Sequence, residues 1–260
     1  TTRGNNIYAV ELAGDFDACQ HLVKQAFNDK KLRKKINISS ANSINVGRWL
    51  PQIIYYFILH KELKKINKEK EVCISIPSGN FGNICAGLMS KKMGLNFKKI
   101  IASTNINDTI PRYLSSGVFD PKQTKRTISN AMDVSIPNNF PRIEKIYDDN
   151  FKTLSKNLIS EMVDEFQTKE EIKKIFNSTK YILDPHGAVG LVGLKRNLQS
   201  NETGVFFETA HPIKFMDSIR EILKIREDFF KTNLNFDNKE IIHKINNDYN
   251  SLVDFINSIN

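Results

Sequence analysis

Apolar and polar positions along the chain fall into short runs of two kinds, and their alternation sets the first expectations. Ile7-Tyr8-Ala9-Val10 reads as a buried strand, and Gly14-Asp15-Phe16-Asp17 as a turn in which Asp17 caps a helix with Cys19, Leu22, Val23 and Phe27 on one face. Ile36-Asn37-Ile38 reads as a second strand. The polar loop Ser39 to Ser43 then enters a helix that runs to Lys65, with Pro51 kinking it or opening its second half. Glu71 to Pro77 is a strongly apolar strand, Ser78 to Asn83 a tight polar loop, Ile84 to Met93 a helix stopped by Gly94, and Phe97 to Ser103 the next strand. Such a strand–helix–strand unit predicts a parallel sheet, because parallel neighbours need a crossover of this length.

Beyond it, Asp108 to Pro141 reads as mostly loop, with Pro111, Pro121, Pro137 and Pro141. Phe151 to Phe166 predicts a helix and Tyr181-Ile182-Leu183 a strand. Asp184-Pro185 caps a helix from His186 to Leu198, Gly204 to Glu208 is a closing strand, and Ile213 to Ile225 a helix. Strand and helix alternate throughout, so the fold class is α/β. The charge-dense segment Lys64 to Lys70 marks a boundary between domains at 1–66 and 67–260. The end from Glu227 is too rich in Asn and Lys for a finer reading.

Composition narrows the picture. With 40% hydrophobic residues and 17 Phe among 260, the chain has the apolar surface to fold. The net charge of +9 invites a nucleic-acid reading, but the lysines are scattered as Lys30-Lys31, Lys34-Lys35, Lys64-Lys65 and Lys173-Lys174, as on solvated helix faces. Cys19, Cys73 and Cys85 are odd in number and show no CxxC spacing, which supports neither a disulfide framework nor a zinc site. The apolar run Trp49 to Leu59 is broken by Pro51 and Gln52 and is too short for a bilayer, and early acids at Glu11, Asp15 and Asp17 are unlike a targeting peptide. A cytoplasmic protein without a membrane partner is expected. The chain starts at Thr1 rather than Met, as a trimmed protein or a sequence beginning in mid-protein would.

Several polar loops stand where chemistry is expected. Ser78-Gly79-Asn80-Phe81-Gly82-Asn83 joins a buried strand to a helix, and its glycines let backbone N–H groups converge on an anion at the helix N-terminus. An ordinary βα turn with two glycines has the same spacing, and both readings stand. Asn42-Ser43-Ile44-Asn45-Val46-Gly47-Arg48 can hold a phosphate or carboxylate, or be an N-cap followed by a surface Arg. Thr209, in Glu208-Thr209-Ala210-His211-Pro212, sits where α/β proteins place ligands, or caps the next turn. His186 is an acid, base or ligand, or a structural histidine beside a capping Asp-Pro. The amide-rich loop Asn130 to Arg142 lines a polar pocket or satisfies its own backbone. His21, His60 and His243 have no partner at ligand spacing, so no metal is expected.

In this order, Gly14 to Gln20, Ser40 to Asn45, Pro77 to Asn83, Thr104 to Thr109, Ser129 to Asp133 and Thr209 to Pro212 closely resemble the threonine synthases of bacterial and fungal type. These are pyridoxal-phosphate enzymes of the tryptophan-synthase-like fold, fold type II. The resemblance implies two parallel-type α/β domains. Gly79, Asn80, Phe81, Gly82 and Asn83 would cradle the cofactor phosphate, Thr209 would bond the pyridine nitrogen, and Asn42, Ser43 and Arg48 would grip the phosphate of O-phosphohomoserine. The implied reaction removes the α-proton, expels phosphate from the γ-carbon and adds water at the β-carbon, giving threonine and phosphate. One feature departs from the family pattern: its Schiff-base lysine lies in a motif like Phe-Lys-Asp, and no such context occurs here. The lysine is expected upstream of Thr1, making this chain a C-terminal portion that does not turn over alone. Two alternatives are a related phospho-lyase with another product and a non-catalytic basic nucleic-acid binder. The latter would lose affinity steeply with salt, but its lysines lack the interleaved aromatics of single-strand binders.

Overall fold

The computed structural model describes residues 6–66, 71–225 and 242–259. The last four residues of the expected boundary segment, 67–70, and the stretch 226–241 lie outside the described residues. In chain order the first elements are β1 (Ala9–Leu12), α1 (Phe16–Asn28), α2 (Lys30–Lys35), α3 (Val46–Trp49), a 3₁₀ turn at Leu50–Gln52 and α4 (Ile53–Ile66). Then come β2 (Glu71–Pro77), α5 (Gly82–Lys92), β3 (Lys99–Thr104), α6 (Thr109–Ser116), a 3₁₀ turn at Asn130–Met132, α7 (Phe140–Ile146), α8 (Phe151–Asn157) and β4 (Leu158–Met162). The rest are α9 (Glu165–Thr179), α10 (Pro185–Asn197), β5 (Glu202–Phe206), a 3₁₀ turn at Pro212–Phe215, α11 (Met216–Leu223), β6 (Ile242–Ile245) and α12 (Tyr249–Ser258).

These elements form two compact units. One holds the residues up to Ser39 together with the C-terminal stretch, and the other starts at Ser40. This differs from the boundary expected after 66, because α4 is part of the second unit's core: Tyr56 is fully buried, packs on Phe97, and donates its hydroxyl to the Asn83 carbonyl at 2.9 Å and to Asn83 Oδ1 at 2.5 Å. Tyr56→Phe is expected to cost about 1–2 kcal/mol in urea unfolding, since it removes the hydroxyl donor from the half-buried Asn83 Oδ1.

In the first unit β1 pairs in parallel with β6 from Ala9↔Ile242 to Leu12↔Ile245. The strand starts two residues later than expected. The cap of α1 is Asp15, not Asp17: its extended backbone points the carboxylate at Ala18 N–H, 2.8 Å away, while Asp17 falls in the first turn. Ile36 to Ile38 form no strand. Ile36 follows α2 in extended backbone, and no ladder among the described residues includes these three.

The second unit is built on a parallel sheet of order β4-β3-β2-β5, the arrangement expected from the strand–helix–strand unit. Its faces follow the period of two. Ile74, Ile76, Ile100 and Ala102 join Ile84, Cys85 and Leu88 of α5 in the main core, and Cys73 and Ile101 join Leu194 of α10 on the other face. On that second face Ser75 Oγ donates to the Gly190 carbonyl at 2.6 Å and lies 2.8 Å from Ser103 Oγ.

Five further expectations are corrected. Thr109–Ser116 is a helix within the expected loop, pinned by the Arg112 to Asp108 ion pair at 2.9 Å and ended by Gly117 in the left-handed region. The helix expected over 151–166 is interrupted by β4, because Leu158 to Met162 find an open edge on β3. Tyr181 to Leu183 form no strand and instead lead into the Asp184 cap. The last strand of the sheet ends at Phe206, with Phe207 N–H still donating to the Ser75 carbonyl of β2 at 3.0 Å, and the helix expected from Ile213 starts as a 3₁₀ turn before α11.

Candidate functional site

All strands of a parallel sheet present their carboxyl ends on one edge, and here that edge borders a cavity of about 900 Å³. Gly79, Gly82 and Asn83 line it from the loop after β2, Thr209 from the chain after β5, and Ser43 from the loop before α3. Five of the nine residues to which the family resemblance gave a role thus line one cavity, and His186 lines it with them.

The β2–α5 loop owes its shape to local chemistry. Ser78 N–H donates to the Ser103 carbonyl at 2.8 Å, which carries the ladder one step beyond β2. Phe81 then adopts φ 60° and ψ 16°, an uncommon conformation for an aromatic residue, while its buried ring packs edge-on against Phe140. That turn starts α5 with no side-chain cap, so its first N–H groups have no intrahelical partner. Gly79 is required by close approach: a Cβ there would stand 2.6 Å from Met132 Cα and 2.8 Å from the Ala131 carbonyl oxygen. Both are backbone atoms of the turn that forms the facing wall of the cavity.

Asn80 acts as a bracket rather than facing the cavity. Its Nδ2 donates to Ser43 Oγ at 2.7 Å, its Oδ1 accepts from Asn138 N–H at 2.6 Å, and its carbonyl accepts from Asn139 Nδ2 at 2.9 Å. Asn42 Oδ1 accepts from Ser43 N–H at 2.7 Å and stays exposed. Arg48 lies one turn into α3, exposed and outside the residues that line the cavity. The guanidinium that organises this corner is Arg142, which donates to the Ser43 and Ile44 carbonyls at 3.3 and 2.7 Å and to Asn139 Oδ1 at 2.5 Å. It lies 99 residues from Ser43, and no sequence spacing announces such a pairing. Gln52, on the cavity, has a buried Oε1 with no hydrogen-bond partner.

The loop from Asn130 to Arg142 does both things expected of it as alternatives. Ala131 and Met132 line the cavity, and within the loop Asp133 N–H donates to the Asn130 carbonyl at 3.1 Å and Val134 N–H to the Met132 carbonyl at 2.8 Å, while the Asp133 carboxylate reaches outside it to accept from Thr127 N–H at 2.9 Å, Thr127 Oγ1 at 2.8 Å and Asn105 Nδ2 at 2.8 Å. Burial pushes the Asp133 carboxyl up, and the Thr127 and Asn105 donors oppose it. Glu208, which sequence reasoning passed over, lines the cavity beside Thr209 and accepts from Tyr181 hydroxyl at 2.6 Å. Burial pushes its carboxyl up to about 7, helped by the Asp184 carboxylate and opposed by the Tyr181 hydrogen bond. No cluster of three metal-ligating side chains and no helix long and apolar enough to cross a membrane occur among the described residues.

No family model matches the chain. Threonine synthase from Haemophilus influenzae is 50% identical to it over 225 residues, which is 86% of this chain and 52% of that protein. The crystal structure of threonine synthase from Escherichia coli superposes with a TM-score of 0.92 at 40% identity, covering all of this chain and 60% of that one. The chain is a threonine synthase homologue. Its α/β fold is the threonine synthase fold, as the resemblance implied. The pyridoxal-phosphate-bound threonine synthase from Brucella melitensis agrees, with a TM-score of 0.82 at 26% identity over 99% of the chain. This homologue spans only about half the length of the curated relatives it matches.

Proposed function

We infer that the chain carries the phosphate-loop part of a threonine synthase site, which takes pyridoxal phosphate as cofactor and O-phosphohomoserine as substrate. The observation that carries this reading is the uncapped N-terminus of α5, set behind Gly79 and Gly82 on the same cavity as Thr209. Those bare N–H groups, the glycines beside them and the absence of a competing side-chain cap fit a phosphate monoester, so Gly79, Asn80, Phe81, Gly82 and Asn83 would hold the cofactor phosphate through their backbone. Pyridoxal phosphate, when bound, supplies the electron sink for negative charge at the substrate α-carbon.

The chain's own residues would do the rest. The Thr209 hydroxyl bonds the pyridine nitrogen as a neutral partner and orients the ring. Ser43, Asn42 and Arg48 take the substrate phosphate, with Ser43 best placed because it lines the cavity while its hydroxyl is already held by Asn80. Water and O-phosphohomoserine become threonine and phosphate, the chemistry of a cytoplasmic biosynthetic lyase. Among the described residues that line the cavity there is no lysine, and no Phe-Lys-Asp context occurs in the sequence, which supports a chain that binds but does not turn over by itself.

Titrating the chain with pyridoxal phosphate by intrinsic fluorescence, then adding O-phosphohomoserine and assaying threonine and phosphate, tests this. Saturable binding without threonine is expected. A chain that fails to bind pyridoxal phosphate overturns the site, threonine formation overturns the inactivity, and 2-oxobutyrate as product would favour the altered phospho-lyase.

A further inference from the structure

We propose that His186 is a positioning residue, which in its neutral form ties the Ala131–Met132 wall of the cavity to the start of α10 and so sets that wall against the phosphate loop. The ligand it serves rests on the reading above, but the tie itself rests on geometry alone.

Asp184 is fully buried and caps α10, its Oδ1 receiving both the backbone N–H and the ring Nδ1 of His186 at 2.8 Å. A carboxylate only accepts, so Nδ1 carries the proton. On the far side of the ring, Nε2 lies 3.3 Å from Ala131 N, and a backbone N–H only donates. Nε2 must therefore offer a lone pair, and the ring is neutral with one defined tautomer. Only 3% of the residue is exposed, and Phe215 packs on the ring with centroids 4.9 Å apart. With both nitrogens committed, His186 has no site left for moving a substrate proton.

What it holds is the more informative part. The other backbone bonds of this turn, Met132 N to the Ser129 carbonyl and Asp133 N to the Asn130 carbonyl, are internal to it and do not place it relative to α10. The His186 bond does, across 55 residues of sequence. The Ala131 carbonyl and Met132 Cα are the atoms that crowd Gly79. Asp184, His186, Ala131 and Gly79 therefore form a continuous series of contacts from a buried helix cap to the loop with the free N–H groups. Positioning residues of this kind act through the group they orient.

The test joins nitrogen-15 NMR of the imidazole and amide hydrogen exchange with pyridoxal phosphate titration of the whole chain. In the wild type the His186 proton is expected on Nδ1 and the Ala131 amide protected. His186→Leu should speed Ala131 exchange and weaken pyridoxal phosphate binding by about tenfold each, the worth of one such hydrogen bond. His186→Gln, whose Oε1 can accept from Ala131 N–H, should bring both to within about threefold of wild type. A wild-type proton on Nε2 or an unprotected Ala131 amide overturns the proposal whether or not the Leu variant folds. A Leu variant with wild-type exchange, or a Gln variant no better than Leu, overturns it too. If the wild-type chain takes up no pyridoxal phosphate, the function proposed above falls, while the tautomer and exchange still decide the tie.

Discussion

Gly79→Ala is expected to weaken pyridoxal phosphate binding by about a hundredfold and to destabilise the chain by about 1–3 kcal/mol, the usual cost of forcing a methyl group into filled space. The size of the effect follows from what the added carbon would meet. Met132 Cα at 2.6 Å and the Ala131 oxygen at 2.8 Å are main-chain atoms, so no rotamer change can relieve the clash. Either the phosphate loop or the facing wall must withdraw. The wall is tied through His186 and the internal bonds of its turn, so the loop yields, and the N–H groups it aims at the ligand move with it. Fluorescence titration and a thermal scan separate the two consequences, with the melting temperature falling by roughly 2–12 °C for a unit of this size. Wild-type affinity in the variant would show that the loop and wall do not set the ligand site between them.

The contrast between the phosphate loop and its surroundings shows what the sequence could carry. The loop's place between strand and helix was legible because a local cause produces it: a buried strand, two glycines and a helix start lie within a few residues, and the chemistry of a helix N-terminus, on which its proposed role rests, does not depend on the rest of the fold. The same locality made Asp184 readable as a cap. Arg142, which organises the Ser43 loop, and Gly79, which needs its missing side chain because of Met132, are defined by contacts made across long stretches of chain. No periodicity encodes those. The strand errors have the same origin. Leu158 to Met162 continue a helical pattern by themselves and become β4 only because β3 offers an edge, while Ile36 to Ile38 are as apolar as a strand needs and pair with no strand among the described residues. The family resemblance supplied what local reasoning could not, by joining Ser43, the 79–83 loop and Thr209 into one expectation, and the cavity does bring those three segments together.

The second large effect is expected at the opposite edge of the sheet. Glu202 starts β5 with its side chain fully buried. Lys99 and Lys98 ammonium groups stand 2.9 and 3.2 Å from its Oε1, and Gln199 N–H donates to Oε2 at 2.9 Å. Burial by itself raises the carboxyl, but the Gln199 N–H and the two lysines outweigh it and hold it at about 2, against an ordinary value of 4.5. A carboxyl with a folded value below its unfolded one stabilises the fold fully above pH 4.5, and that stabilisation is lost as pH falls from there toward 2. Glu202→Ala at pH 7 leaves the Gln199 N–H without its side-chain acceptor and takes one partner from each ammonium group, Lys98 keeping Glu71 and Lys99 keeping the Asn197 carbonyl at 2.9 Å. Lys98 and Lys99 are 32% and 19% exposed and can turn partly to water, which places the loss near the lower end of the range for a broken buried pair, about 3 kcal/mol. The isosteric Glu202→Gln isolates the charge: urea unfolding of wild type and variant at pH 7 and pH 3 should show the gap between them shrinking on acidification, whatever the other carboxylates contribute to both. A gap that stays constant would mean that the ion pairs do not hold this edge. Because the cavity lies at the carboxyl ends of the same strands, the folded Gln variant is expected to bind pyridoxal phosphate as wild type does, so that the parallel sheet keeps its stabilising charges and its ligand groups at separate ends.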